Sequence, residues 1–242
     1  MIAPVETPTH CRADRFLMWA AALGQPHPPE RSGIKGLAVK AVPHSVRPRL
    51  RGTATHALRP LARRRAKRLA QGSPLLLHVG CGTIYKEGWV NIDLAGTRVD
   101  FPWDLAEPLP FAAQSVDAIF HEHLLEHLTF SQGIELHRRC LQLLKPGGIL
   151  RIGVPDAGAA LQAYAMAAPG EAGQFPTAMA RVASLTYDSG HQSIYDAETL
   201  ELSCMAAGFV KAQCQEFGEG DLQPNADSPE RHGYTLYVEA TA

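Results

Sequence analysis

From residue 75 onward the sequence predicts an α/β fold: a doubly wound, mainly parallel seven-stranded sheet with helices on both faces. Three observations point there. Short apolar runs alternate with stretches of helical period. The first run, "LLLHV" at 75–79, stops at Gly80-Cys81-Gly82. A long helical stretch ends at Lys145-Pro146-Gly147-Gly148, where proline cannot continue a helix and glycine permits a tight reversal.

The elements follow in chain order. Residues 1–46 are rich in Pro, Gly and His with no sustained period, and are expected to be mostly flexible with one short helix at 11–23. Residues 47–72 form a basic helical segment. Leu50, Ala54, Leu58, Leu61 and Leu69 fall near one face, Arg and Lys cover the rest, and Pro60 starts or kinks a helix. Residues 73–242 then make one domain. Its strands are expected at 75–79, 89–92, 98–101, 116–120, 148–153, 208–214 and 233–239. Its helices are expected at 122–129, 132–144, 157–167, 176–186 and 196–207, and a lid-like insertion at about 155–190 follows the fifth strand.

The net charge of −1 hides an asymmetry. Residues 1–72 carry 14 Lys/Arg against 3 Asp/Glu, and residues 73–242 carry 9 against 21. Such a split usually marks two regions with different partners or different degrees of order. The basic helix is expected either to pack on the acidic domain or to lie on an anionic membrane surface through 47–70. Nucleic acid is not an expected partner, because no stacking aromatics are interleaved with the basic residues. The five cysteines show no CxxC pair and read as free thiols of a reducing compartment. "FLMWAAALG" (16–24) weakly imitates a signal peptide, but Asp14 sits among its flanking basics and no clean cleavage pattern follows. The expected location is cytoplasmic, with peripheral contact to the inner membrane face as an option.

Gly80 and Gly82 let backbone approach a ligand closely and adopt positive φ. A dinucleotide fingerprint needs G-x-G-x-x-G with an acid about 20 residues on. Here Tyr85 takes the third glycine's place, and Asp93 arrives early. That disfavours a dehydrogenase and favours a smaller nucleoside, with Asp93 at the end of the second strand accepting from ribose hydroxyls. The short link between the first two strands leaves no room for a full crossover helix of about 10–12 residues.

At this point the sequence resembles the class I S-adenosylmethionine-dependent methyltransferases, in the short "type 11" branch met in bacterial surface-polysaccharide gene clusters. The matching pieces are "LLLHVGCG", "GWVNIDL", "WDLAEPLPF", "SVDAIFHEHLLEHL", "LHRRCLQLLKPGGILRIGVPD", "HQSIYDAETL" and "YTLYVEA", in the family's order over 75–242. The resemblance implies S-adenosylmethionine as cofactor. Gly80, Cys81 and Gly82 would line its methionine and ribose part, Asp93 with Leu94 the ribose, and Asp104 and Leu105 the adenine. His78 departs from the family, which often places an acid there to organise the glycine loop. Its loss would weaken the cofactor unless a neighbour compensates.

Methyl transfer needs alignment above all, which is worth up to about 7–11 kcal/mol. A base is needed for a poor nucleophile such as a sugar hydroxyl, and histidine suits that task. The fourth strand ends in His121-Glu122-His123, where acceptor contact is expected, with His123 or His121 as base. The alternative is that Glu122 and His123 simply begin the next helix. His127 lies one turn after His123, but HExxH is absent because Leu125 stands in the second histidine's place, and no third ligand is apparent. No metal is expected. His191 and Tyr195 either reach the pocket from the insertion or pin it down, and Asp156 either contacts the acceptor or forms a turn. The expected activity is O-methylation of a small polar acceptor such as a glycan or nucleotide-linked sugar. A non-catalytic cofactor-binding protein and a membrane-docked accessory protein are the alternatives.

Overall fold

The computed structural model describes residues 47–166, 175–187 and 190–242, with side chains from residue 50. The expected N-terminal segment 1–46, with its helix at 11–23 and Cys11, lies outside the described residues, as does part of the insertion.

Seven strands form one sheet: β1 (Leu76–Val79), β2 (Val90–Asp93), β3 (Phe101–Pro102), β4 (Val116–Glu122), β5 (Leu144–Pro155), β6 (Lys211–Gln215) and β7 (Thr235–Thr241). Their order is β3-β2-β1-β4-β5-β7-β6. The first five run parallel, and β7 pairs antiparallel with both β5 and β6. The chain reverses direction of travel between β3 and β4, so β1 and β4 flank the switch point where ligands bind in such sheets. This is the mainly parallel, seven-stranded α/β fold that the sequence predicts.

The basic segment makes two helices, α1 (Arg47–Ala57) and α2 (Arg59–Leu69), with Pro60 in the first turn of α2, where its missing N–H costs nothing. After β4 come α3 (Phe130–Leu143), α4 (Ala157–Met166), α5 (Ala178–Tyr187) and α6 (Ala197–Ala207). A capping box starts α3: the Thr129 hydroxyl accepts from the Gln132 N–H, and the Gln132 side chain accepts from the Thr129 N–H. Asp196 caps α6, which stops at Gly208 with φ +109°, a conformation that glycine alone adopts without strain. The expected helix at 122–129 is not there. β4 extends through Glu122, paired with Gly153, and only a 3₁₀ turn at Leu125–His127 follows. Strand pairing outweighs the helical period of that stretch.

Ala62 and Ala66 of α2 join the main core with Leu77, Ile92, Trp103, Ile119 and Leu150. The basic helices therefore pack on the domain, as one of the two expectations had it. Arg59 bonds Glu107 at 2.9 Å, and the Arg59 and Arg63 guanidinium groups lie over the Trp103 ring. Among the described residues no helix is long and apolar enough to cross a membrane.

Candidate active site

The apolar run β1 is buried along its whole length and releases the chain at the switch point, where Gly80 (φ +67°) and Gly82 (φ +55°) make the turn. Both Gly80 N and Cys81 N donate to Ile92 O, which ties the turn to β2. Asp93 finishes the arrangement. Its Oδ2 accepts from Gly82 N at 2.8 Å, and its Oδ1 accepts from Leu94 N. Glycine turn and carboxylate are thus one hydrogen-bonded unit at the end of β1 and β2. A Cβ on Gly82 would meet nothing within 4 Å, so open space lies before that backbone. On Gly80 a Cβ would run into the Leu124 side chain, which places the residues just after β4 against the turn.

Helix α1 stands at the mouth of this slot, a feature the sequence did not reveal. Arg51 Nη2 lies 3.3 Å from Asp93 Oδ1, Arg51 Nε donates to Ala95 O at 2.9 Å, and the Thr55 hydroxyl accepts from Ala95 N at 2.8 Å. Beside them a cleft of about 100 Å³ is lined by Gly52, Thr55, His56, Arg59, Trp103, Asp104 and Glu107. Asp104 is exposed there, with Oδ1 accepting from Ala106 N. Leu105 is half-buried against the core, and its carbonyl faces Arg139. A carboxylate offers about four lone-pair positions. Asp93 uses three, one of them for the partly exposed Arg51. As acceptors, Asp93 and the exposed Asp104 would suit the hydroxyls of a ribose and the amino group of an adenine.

His78 is fully buried and faces Asn91, with Nδ1 2.9 Å from Asn91 Oδ1. Burial is the largest influence on it and brings its pKa down to about 4, against the opposing Asn91 bond and with Lys86 and Arg231 adding to the fall. It is neutral. The carboxylate bonded to the glycine turn is Asp93, while Asp100 orders the β1–β2 link by accepting from Asn91 N at 2.8 Å and from the Tyr85 hydroxyl at 3.0 Å. Asn91 then holds the β1–β2 link: its Oδ1 accepts from Lys86 N, and its amide donates to Lys86 O and Trp89 O.

His121, Glu122 and His123, at and just past the end of β4, diverge. His121 is fully buried, stacks on His137 with centroids 5.4 Å apart, and has no hydrogen bond at either ring nitrogen. Burial, then His137 and His78, hold it neutral, far below its ordinary range. It is a core side chain, which overturns its expected acceptor contact. Glu122 is buried too: it accepts from the Tyr237 hydroxyl at 2.6 Å and from Ser228 N at 3.2 Å, with Arg231 3.5 Å away. It anchors the segment before β7 rather than a substrate. His123 differs. Its φ is +53°, in the left-handed region that few non-glycine residues adopt. Its ring is 16% exposed, with Nε2 2.9 Å from the Thr235 hydroxyl and Nδ1 3.4 Å from Glu126 Oε1.

The remaining candidates resolve similarly. His191 is half-buried, with Nδ1 2.9 Å from Leu185 O and its ring edge-on to His127 at 5.0 Å. Tyr195 is buried, bridges by backbone to Asp156 and packs on Phe130, so it pins the insertion. Asp156 caps α4 by accepting from Ala159 N at 2.8 Å. His123 and His127 do not share a helix face. Cys81 is buried and its thiol is pushed up to about 12, first by burial and then by Asp93, so it lines the turn as a neutral group.

Residues 95–152 match a family model described as a methyltransferase domain, a span running from the end of β2 through β4 and α3 into β5. No curated protein matches the chain. Among solved structures, similarity is found to a SAM-dependent methyltransferase from Archaeoglobus fulgidus (17% identity, TM-score 0.47, covering 79% of this chain and 94% of that one). It is also found to an S-adenosylmethionine-dependent methyltransferase from Mesorhizobium loti (19%, 0.43, 71% and 92%). A third is a SAM-dependent methyltransferase and possible histamine N-methyltransferase from Thermotoga maritima (15%, 0.43, 81% and 95%). Over residues 95–152, less than half of its length, this chain is thus similar to a methyltransferase domain.

Proposed function

We propose that the chain transfers a methyl group from S-adenosylmethionine to an oxygen of a small polar acceptor, a glycan or nucleotide-linked sugar, with His123 as general base. When bound, the cofactor supplies an electrophilic methyl. The observation that carries the reading is the His123 ring: positive-φ backbone just after β4, next in chain to the Leu124 that packs on the glycine turn, with a buried carboxylate behind it. With Nδ1–H directed at Glu126, Nε2 is the basic nitrogen. Its present partner, the Thr235 hydroxyl, has a second acceptor in Arg231 O at 2.9 Å. An acceptor hydroxyl that takes Thr235's place gives its proton to Nε2, and Glu126 stabilises the imidazolium that results. Glu126 suits this role: burial raises its pKa, but the His123 contact outweighs it, so the group lies below its ordinary value and is ionised. The test is turnover of candidate acceptors with labelled cofactor. His123→Ala should lower it at least ~10²-fold while cofactor binding survives; unchanged turnover moves the base to another group.

A second reading, peripheral docking on an anionic membrane, is favoured by Leu50 and Leu61, exposed at 51% and 62% on the two basic helices. Co-sedimentation with anionic vesicles that is lost when Arg63, Arg64, Arg65, Lys67 and Arg68 become Gln supports it. Equal sedimentation of both proteins dismisses it.

A further inference from the structure

We propose that Glu126, His127 and His191 form a binding site for one divalent transition-metal ion of the zinc class. One ligand atom from each residue lies within 4.8 Å of the others. The three come from two segments, the 3₁₀ turn after β4 and the stretch between α5 and α6.

Several independent features point to a ligand here. Glu126 is only 2% exposed, and its Oε2 has no hydrogen bond or ion pair. A carboxylate buried in that way is costly unless a cation meets it. The nearby His123 contact engages Oε1 alone. His191 Nδ1 lies on Leu185 O, and a carbonyl only accepts, so Nδ1 carries the hydrogen and Nε2 keeps its lone pair. That is the outer-shell bond by which proteins fix a metal-binding imidazole.

The backbone between the two segments is locked as well. Gln192 N and Ser193 N donate to Glu126 O at 2.7 and 3.2 Å, and the Gln192 amide donates to His127 O at 2.6 Å. The ligand-bearing residues thus stand in fixed relation before any ion arrives.

Two imidazoles and one carboxylate suit zinc, iron, cobalt or nickel. They offer too few oxygens for calcium or magnesium and lack the thiolates of a soft site. Ligand distances of about 2.0–2.2 Å would draw the three atoms to roughly 3.3 Å of one another, a contraction within reach of side-chain rotation. Three protein ligands leave an open position for water or a polar ligand. An ion here would cross-link the insertion after β5 to the end of β4.

The test uses the full chain, stripped with chelator and titrated with Zn²⁺ by calorimetry, with Co²⁺ as the spectroscopic probe. One equivalent should bind. His127→Ala and His191→Ala should each weaken it at least ~10-fold, while Cys214→Ser, which removes an exposed thiol, should not. Binding of S-adenosylhomocysteine by each variant reports on the fold and on the methyltransferase reading separately. Unchanged Zn²⁺ affinity in both histidine variants, or no Zn²⁺ binding by the parent chain at millimolar concentration, overturns the site.

Discussion

At the residue scale, the proposed function rests on His123 as base and Asp93 as cofactor ligand, and each has a neighbour that bears on it. Arg51 occupies the Asp93 Oδ1 position that a ribose hydroxyl would take in the proposed cofactor complex. It is a partly exposed pair, worth about 0.2–1 kcal/mol. Arg51→Ala should therefore tighten cofactor binding by up to ~5-fold in calorimetry; weaker binding would mean that Arg51 itself grips the cofactor. The sequence pointed to the end of β4 but could not sort its three residues. β4 is buried on both faces, so alternation says nothing about which side chain is free. The positive φ at His123, which sends that ring out of the core, is a tertiary outcome. Arg51 and Glu126 were invisible for another reason: each acts through a contact whose partner or pocket the fold assembles.

At the element scale, the link between β1 and β2 was legible as too short for a helix, and the structure shows what replaces one: Asn91 and Asp100 bonding a run of backbone. The strands of the parallel half were legible because double burial writes them as apolar runs. The 122–129 stretch misled because its apolar spacing fits a helix, while pairing of Glu122 with Gly153 holds it extended. A further element is fixed by a residue the sequence reading passed over. Arg151 in β5 is fully buried, with Nε donating to Asp227, Nη1 facing Glu239 at 3.3 Å, and its nitrogens also donating to Glu216 O and Glu219 O. It organises the segment between β6 and β7. Arg151→Met should destabilise the protein by about 3–5 kcal/mol in denaturant unfolding, because two buried carboxylates lose their cation. A change below about 1 kcal/mol would show that water reaches them.

At the scale of the whole molecule, the charge asymmetry becomes contact: basic α1 and α2 lie on the β2–β3 end of an acidic domain. Three buried neutral histidines give the fold a pH limit. His78 and His137 are lowered to about 4, mainly by burial, and His121 lies well below its ordinary value. The folded state resists protonating them, while the unfolded chain takes up protons near pH 6.5. Stability is therefore complete above pH 6.5 and falls as pH drops toward 4, by up to about 1.4 kcal/mol per pH unit for each histidine. Urea unfolding across that range checks it; a flat profile would place water against these rings.

The central claim is that the Gly80–Gly82 turn and the Asp93 carboxylate hold the adenosine portion of S-adenosylmethionine. Calorimetric titration of the parent chain and of Asp93→Asn with S-adenosylhomocysteine tests it most directly. One equivalent should bind the parent, and the variant should bind at least ~10-fold more weakly, the value of a charge-assisted hydrogen bond. No binding to the parent at millimolar concentration, or equal affinity for both proteins, would contradict it.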